Sequence, residues 1–121
     1  DLIQPEDILQ VQETISHIHV DSRIHRYIVA LGRATRVDGS GPPSLEGLIL
    51  SGVSTRAFQH VLAFVRVIAF LDRRGFVRPE DGKAIAVESM QHRIIRSVHA
   101  EAEGVTGADI VNEILEYVPI P

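Results

Sequence analysis

Apolar side chains recur along this chain at spacings of three and four residues, the pattern of α-helices that bury one face. The pattern predicts five helices: over about residues 5–18, 22–35 and 55–71, from 79 with inward apolar positions up to 94, and from 106 to the residue before Pro119. Hardly any segment alternates with the two-residue period of a β-strand. We therefore expect an all-α fold, a four- to five-helix bundle formed by a single domain of residues 1–121.

Residues typical of helix starts support these boundaries. Asp21 is the predicted N-cap of the second helix, and Pro79 suits the first position of the fourth. The acidic residues 80–81 that follow favour the positive end of the helix dipole, and they are better explained by that role than as paired catalytic carboxylates. Thr106 and Asp109 have the spacing of a capping box for the fifth helix.

The third helix has the strongest apolar pattern. Ser54 is its predicted N-cap, and Val53 and Phe58 can pack together across the helix start as a hydrophobic staple. Apolar residues then cover nearly the whole circumference up to Leu71. A helix of that kind is expected at the centre of a bundle, buried on all sides.

The segments between the helices carry weaker signals. Residues 37–50 are predicted to be a loop, because every residue from 39 to 44 is Gly, Ser or Pro. Residues 73–74, both Arg, are expected to be a solvated helix end, and Phe76–Val77 a short extended link.

Composition excludes several classes of function. The net charge of −4 argues against general nucleic-acid binding, which depends on cationic side chains. The longest apolar run, residues 61–71, is interrupted by Arg66 and is well short of the roughly 20 residues that span a membrane. The six His residues have no His partner four positions away and there is no Cys, so no metal site is predicted. The lack of Cys also suits a reducing, cytoplasmic location.

Arg56 is the residue that points most directly to a function. It stands in the first turn of the third helix, where the helix dipole disfavours a cation by about 0.3–1 kcal/mol. A cation there indicates an anionic ligand, which the free backbone N–H groups of the helix start would also bind. Gln59 and His60 follow one turn later on the same side. The alternative is an ion pair between Arg56 and a Glu of another helix.

The sequence around Arg56 resembles a known motif. Gly-Val-Ser-Thr-Arg-Ala at 52–57 is similar to the Gly-Ala-Ser-Pro-Arg-Ala signature of the sensor 2 helix in the lid domain of MoxR-family AAA+ ATPases. Further similarities follow in the family's order, at His19–Asp21, Ala34–Arg36, Phe76–Asp81, His92–Ile94 and Val118–Pro121. The resemblance covers nearly the whole chain.

The resemblance implies a role for the site residues. In such ATPases the lid packs over ATP and Mg²⁺ held by a separate α/β core, and the sensor 2 arginine reaches the phosphates and couples hydrolysis to lid movement. Arg56 is then the catalytic residue of this chain, and Ser54, Thr55, Arg56 and Gln59 are its nucleotide-binding residues. The implied partners are the protein's own AAA+ core, further subunits of a homo-oligomeric ring, and a client protein that is remodelled or activated.

The chain alone does not carry a complete ATPase site. A Walker A loop needs a Lys at the phosphates, and the single Lys, Lys83, has no such loop around it. The chain also begins without Met, so we expect a piece of a longer ATPase that by itself binds no cofactor.

Two rival functions stay open from the sequence. One is a stand-alone helical interaction module without a nucleotide role. The other is a small helical DNA-binding domain, which the net charge of −4 disfavours.

Departures from the family's pattern are concentrated in residues 72–83. Arg78 stands where the family has Thr, which removes a usual N-cap from the fourth helix, and Gly82 replaces an apolar residue at a cost of about 1 kcal/mol relative to Ala. The sequence does not predict how this segment packs.

Overall fold

The computed structural model describes residues 2–121 and is built mainly from six α-helices. These are α1 (Pro5–Ser16), α2 (Ser22–Arg33), α3 (Thr55–Leu71), α4 (Pro79–Met90), α5 (Val98–Ala102) and α6 (Gly107–Tyr117). Two short strands, β1 (Ile49–Ser51) and β2 (Ile95–Arg96), pair antiparallel, and a single 3₁₀ turn covers Pro43–Leu45. The predicted all-α fold is confirmed; α5 and the two strands were not predicted.

The core is organised around α3, which contacts α1, α2 and α4, while α6 packs against α4. The largest fully buried side chains include Ile28, Leu31, Val65, Ile110 and Ile114. Helices α2 and α3 approach each other so closely at Gly32 that a Cβ atom at position 32 would overlap the Phe58 ring. Gly32 is therefore required for the two helices to pack at this distance.

The expectation that α3 is buried on all sides is wrong. Its fully buried residues are Ala57, Phe58, Val61, Val65 and Ala69, which follow one another at spacings of one, three and four positions. On the remaining circumference, Phe64 is 47% exposed and Leu71 is 73% exposed. The apolar composition of α3 therefore exceeds what the bundle buries, and part of it faces away from the core.

The apolar stripe of α1 is also more exposed than its spacing predicts. Ile8 and Val11 are exposed and Ile15 is half-buried, and α1 contains no fully buried residue. The first fully buried side chain is that of Ile18, after the helix has ended at Ser16.

The segment predicted as a loop, residues 37–50, contains the 3₁₀ turn and runs into β1. Its partner strand is β2, and α4 stops at Met90, so the helix does not continue to Ile94 as the spacing predicts. Ile94 is buried as predicted, but from the segment between α4 and β2. Two consecutive β-branched residues, Ile94 and Ile95, favour a strand over a further helical turn.

The junction between α3 and α4 is held by an ionic network. Arg73 adopts a left-handed conformation (φ 58°) just after α3. Arg74 then donates two hydrogen bonds to the carboxylate of Asp81, at 2.9 and 2.7 Å, and a third to Asp72 at 2.7 Å. The Arg74 side chain is only 12% exposed, so the expectation of a solvated helix end is wrong for this residue. The buried carboxylate of Asp81 takes the place of water as the hydrogen-bond partner of Arg74.

Asp81 also supplies a capping hydrogen bond at the start of α4, the reciprocal half of a capping box. Its carboxylate accepts a hydrogen bond of 2.8 Å from the backbone N–H of Arg78, the residue before the helix. Burial acts to raise the pKa of Asp81, but the hydrogen bonds from Arg74 and Arg78 outweigh it and hold that pKa below its usual value. The acidic pair at 80–81 therefore serves the helix start, as predicted, through its second member.

Candidate functional site

The turn that precedes α3 is tied to the C-terminal end of α2. The backbone N–H of Val53 donates to the Thr35 hydroxyl over 3.0 Å, and that hydroxyl donates to the carbonyl of Gly32 over 2.6 Å. Thr35 is fully buried. The sequence motif Ala34–Arg36 did not predict that Thr35 binds Val53, because the hydrogen bond joins residues 18 positions apart.

Gly52 lets this turn approach α2 closely. A Cβ atom at position 52 would lie 2.5 Å from both the carbonyl oxygen and the hydroxyl oxygen of Thr35, which is inside van der Waals contact. The glycine that opens the motif is therefore a packing requirement, and it places the start of α3 directly beside the end of α2.

The predicted site residues Ser54, Thr55, Arg56 and Gln59 lie together at the exposed start of α3. Ser54 occupies the N-cap position with extended backbone, but its side chain makes no capping hydrogen bond. After Val53, the next amide along the chain with an acceptor within residues 2–121 is that of Ala57, which donates to the Ser54 carbonyl over 3.0 Å. The N–H groups of Thr55 and Arg56 are thus left for another acceptor.

The guanidinium of Arg56 is exposed and forms no ion pair with a carboxylate of the described part of the chain. The alternative from the sequence, an ion pair with a Glu of another helix, is not present among these residues. The start of α3 thus offers a cation and two backbone donors, and such a set can bind an anion with several oxygens.

One turn further along α3, His60 contacts Arg93 of another segment. Arg93, in the turn after α4, places Nη2 2.5 Å from Nδ1 of His60 and donates from Nη1 to the Ser89 carbonyl over 3.2 Å. The sequence motifs include both residues but do not predict the contact between them, because 33 positions separate them.

The remaining histidines form local pairs or none. His17 lies 3.0 Å from Glu13 and His99 lies 3.1 Å from Glu103, each within one helical turn. No three His, Cys, Asp or Glu side chains among residues 2–121 are grouped so that they could hold a metal ion. In the same part of the chain, no helix combines the length and the apolar character needed to cross a membrane.

A known protein family contains this arrangement of helices. Residues 46–114, more than half of the chain and including the whole of α3 and α4, match the model of the AAA lid domain. The chain belongs to the AAA lid domain family. This agrees with the resemblance seen around Arg56.

Individual relatives of the lid bear the name MoxR. The lid is 33% identical over 113 residues to the protein MoxR of Paracoccus denitrificans, covering 88% of this chain and 33% of that protein. It is 25% identical over 121 residues to the chaperone MoxR1 of Mycobacterium tuberculosis, covering 99% of this chain and 32% of that protein. The family resemblance to MoxR proteins, predicted from ordered motifs, is therefore confirmed.

The fold of the lid also matches an experimental structure. A crystal structure of a putative ATPase from Cytophaga hutchinsonii superposes with a TM-score of 0.91 at 34% identity, over 96% of this chain and 36% of that one. The lid thus spans about a third of the length of each of these relatives.

Proposed function

We propose that this domain is the lid of a MoxR-like AAA+ ATPase and that Arg56 contacts the phosphates of bound ATP as the sensor 2 residue. The observation that carries the proposal is an arginine beside two N–H groups, all without a partner among residues 2–121, at a helix start that the family motif marks. At this position a phosphate would offset the unfavourable interaction of Arg56 with the helix dipole.

The donor set fits one part of the ligand. Arg56 and the amides of Thr55 and Arg56 suit phosphate oxygens, and Ser54 and Gln59 lie close enough along the turn to add neutral hydrogen bonds. None of the four residues is a carboxylate, which Mg²⁺ prefers. We therefore assign only the phosphate contact to this chain, and assign the Mg²⁺ ligands and the Walker A loop to an α/β core outside it.

The contact between Arg56 and the phosphates would also couple ATP hydrolysis to movement of the lid. If Arg56 holds the phosphates from the lid, loss of the terminal phosphate removes an interaction that favours a closed lid, so hydrolysis changes the lid's position relative to its core. The name of the M. tuberculosis relative, a chaperone, supports an activity on a client protein. We propose a cytoplasmic, ring-forming assembly with such an activity.

The proposal is tested by Arg56→Ala in the full-length gene product. We expect ATP affinity or the ATPase rate to fall by about 10- to 100-fold, because a hydrogen bond to a charged group contributes about 1.5–3 kcal/mol. Arg26→Ala is the matched control, since Arg26 is also exposed, lies on α2 and forms no ion pair within the described residues. If Arg56→Ala leaves both values unchanged, the nucleotide role is wrong and a stand-alone interaction module is favoured.

A further inference from the structure

The contact between Arg93 and His60 assigns different hydrogen-bonding roles to the two ring nitrogens. A guanidinium has only N–H donors, so Nδ1 of His60 must accept the hydrogen bond from Nη2 of Arg93. A ring whose Nδ1 accepts carries its proton on Nε2. In this arrangement Nδ1 is the acceptor of the ring and Nε2–H is its donor.

The other side of this imidazole has no protein partner. Nε2 of His60 makes no hydrogen bond to any of residues 2–121, and the His60 side chain is exposed. Arg93 is itself anchored at its second nitrogen by the Ser89 carbonyl. The Arg93 guanidinium thus holds the His60 ring at Nδ1, and the Nε2–H on the opposite side of the ring is left to donate to a ligand.

His60 and Arg56 share a face of α3. They are four positions apart, which places them about one helical turn from each other on the same side. Donation from the Arg93 cation withdraws electron density from the ring and makes Nε2–H a stronger donor. An anion held by Arg56 is the ligand for which such a donor is best suited.

We propose that His60 is a second nucleotide-contacting residue, whose Nε2–H donates to a phosphate oxygen of the ATP held by Arg56, and that Arg93 is the residue that positions it. The inference rests on the proposed function of Arg56 and adds a second point of attachment. Two donors one turn apart restrict the orientation of the phosphates relative to α3, which a single flexible arginine does not do.

Two substitutions of His60 separate its two ring nitrogens. His60→Asn keeps an acceptor near the position of Nδ1, so Arg93 keeps its partner, but it has no group at the position of Nε2. His60→Gln places an amide N–H near the position of Nε2. In the full-length gene product, ATP binding is expected to weaken at least about 5-fold in His60→Asn and to weaken less in His60→Gln, which keeps the donor at the Nε2 position but not the contact with Arg93.

Arg93→Ala tests the positioning role. It removes the support of the ring and is expected to weaken ATP binding in the protein with His60, while adding little further loss in the His60→Asn background. Thermal unfolding of each variant without nucleotide accompanies the binding measurement, because a purely structural contact would change the unfolding temperature and leave ATP affinity unaltered.

The possible outcomes separate this inference from the proposed function. If Arg56→Ala weakens ATP binding but His60→Asn does not, the second contact is overturned and the role of Arg56 stands. Equal losses in His60→Asn and His60→Gln would overturn the assignment of Nε2–H as the contacting group. If neither Arg56→Ala nor His60→Asn changes ATP binding, the proposed function fails and this inference fails with it.

Discussion

The hydroxyl of Thr35 accepts a hydrogen bond from the N–H of Val53 and donates one to the carbonyl of Gly32, so a single buried side chain joins the end of α2 to the start of α3. Arg56 therefore projects from a fixed turn. The geometry of the candidate site depends on this connection as much as on the arginine.

Replacing Thr35 by Val is expected to destabilise the chain by about 1–3 kcal/mol, because the buried N–H of Val53 would lose its acceptor without access to water. Thr35→Ser keeps the hydroxyl and is expected to lose less. Urea denaturation of the two variants measures the difference. Equal stability of Thr35→Val and the unmodified chain would show that the hydroxyl does not hold the turn.

Two helical glycines are expected to respond in opposite directions to the same substitution. A Cβ at Gly82 would lie 3.8 Å from both Ile28 and Tyr27, which is ordinary contact, so Gly82→Ala should stabilise α4 by up to about 1 kcal/mol. A Cβ at Gly32 would overlap the ring of Phe58, so Gly32→Ala should destabilise by about 1–3 kcal/mol.

The unfolding temperatures of these two variants provide the measurement, and each serves as the control for the other. Both substitutions add one methyl group to a helix and both restrict the unfolded chain alike. A higher unfolding temperature for Gly32→Ala would contradict the packing described around Phe58, and a lower one for Gly82→Ala would contradict the space described around Gly82.

The Arg74–Asp81 network predicts a dependence of stability on pH. The pKa of Asp81 is lower in the folded state than the value of about 3.9 in an unfolded chain. Between these two values the unfolded state binds more protons, so the free energy of unfolding rises with pH. The contribution of Asp81 is therefore complete at neutral pH and is lost as the pH falls through its folded-state pKa.

Comparison with Asp81→Asn isolates this carboxylate. Asp21, Asp38 and Asp109 also have lowered pKa values, through hydrogen bonds from Arg23, Ser40 and Thr106 respectively, and they affect both proteins equally. Asp81→Asn is expected to be less stable than the unmodified chain at pH 7, with the difference narrowing below about pH 4. A constant difference at every pH would rule out the ion pair as its cause.

The capping interactions at the starts of α2 and α6 were predicted correctly from the sequence. Asp21 accepts from the N–H of Arg23 at 2.8 Å, and Thr106 and Asp109 exchange capping hydrogen bonds of 3.0 and 2.9 Å. These bonds span two or three positions, so the residue types alone specify them.

Features that depend on distant pairing were not predicted. The charges of residues 73 and 74 are identical, and only the left-handed turn at Arg73 directs Arg74 towards Asp81. The helical spacing runs on to Ile94, but α4 ends at Met90 and β2 follows at Ile95, because pairing with β1 depends on residues more than 40 positions earlier. Likewise, periodicity marks which residues of α3 are apolar but not which of them the other helices cover.

The exposed surface of α1 has a consequence for how the domain fluctuates. A helix without a fully buried side chain loses little hydrophobic contact when it unwinds, so its backbone opens more readily than that of α2 or α6. Its amide protons should therefore exchange with deuterated solvent well before those of the core helices. Slower exchange confined to residues 5–16 would then signal that another surface has come to rest on α1, even where the fold itself does not change.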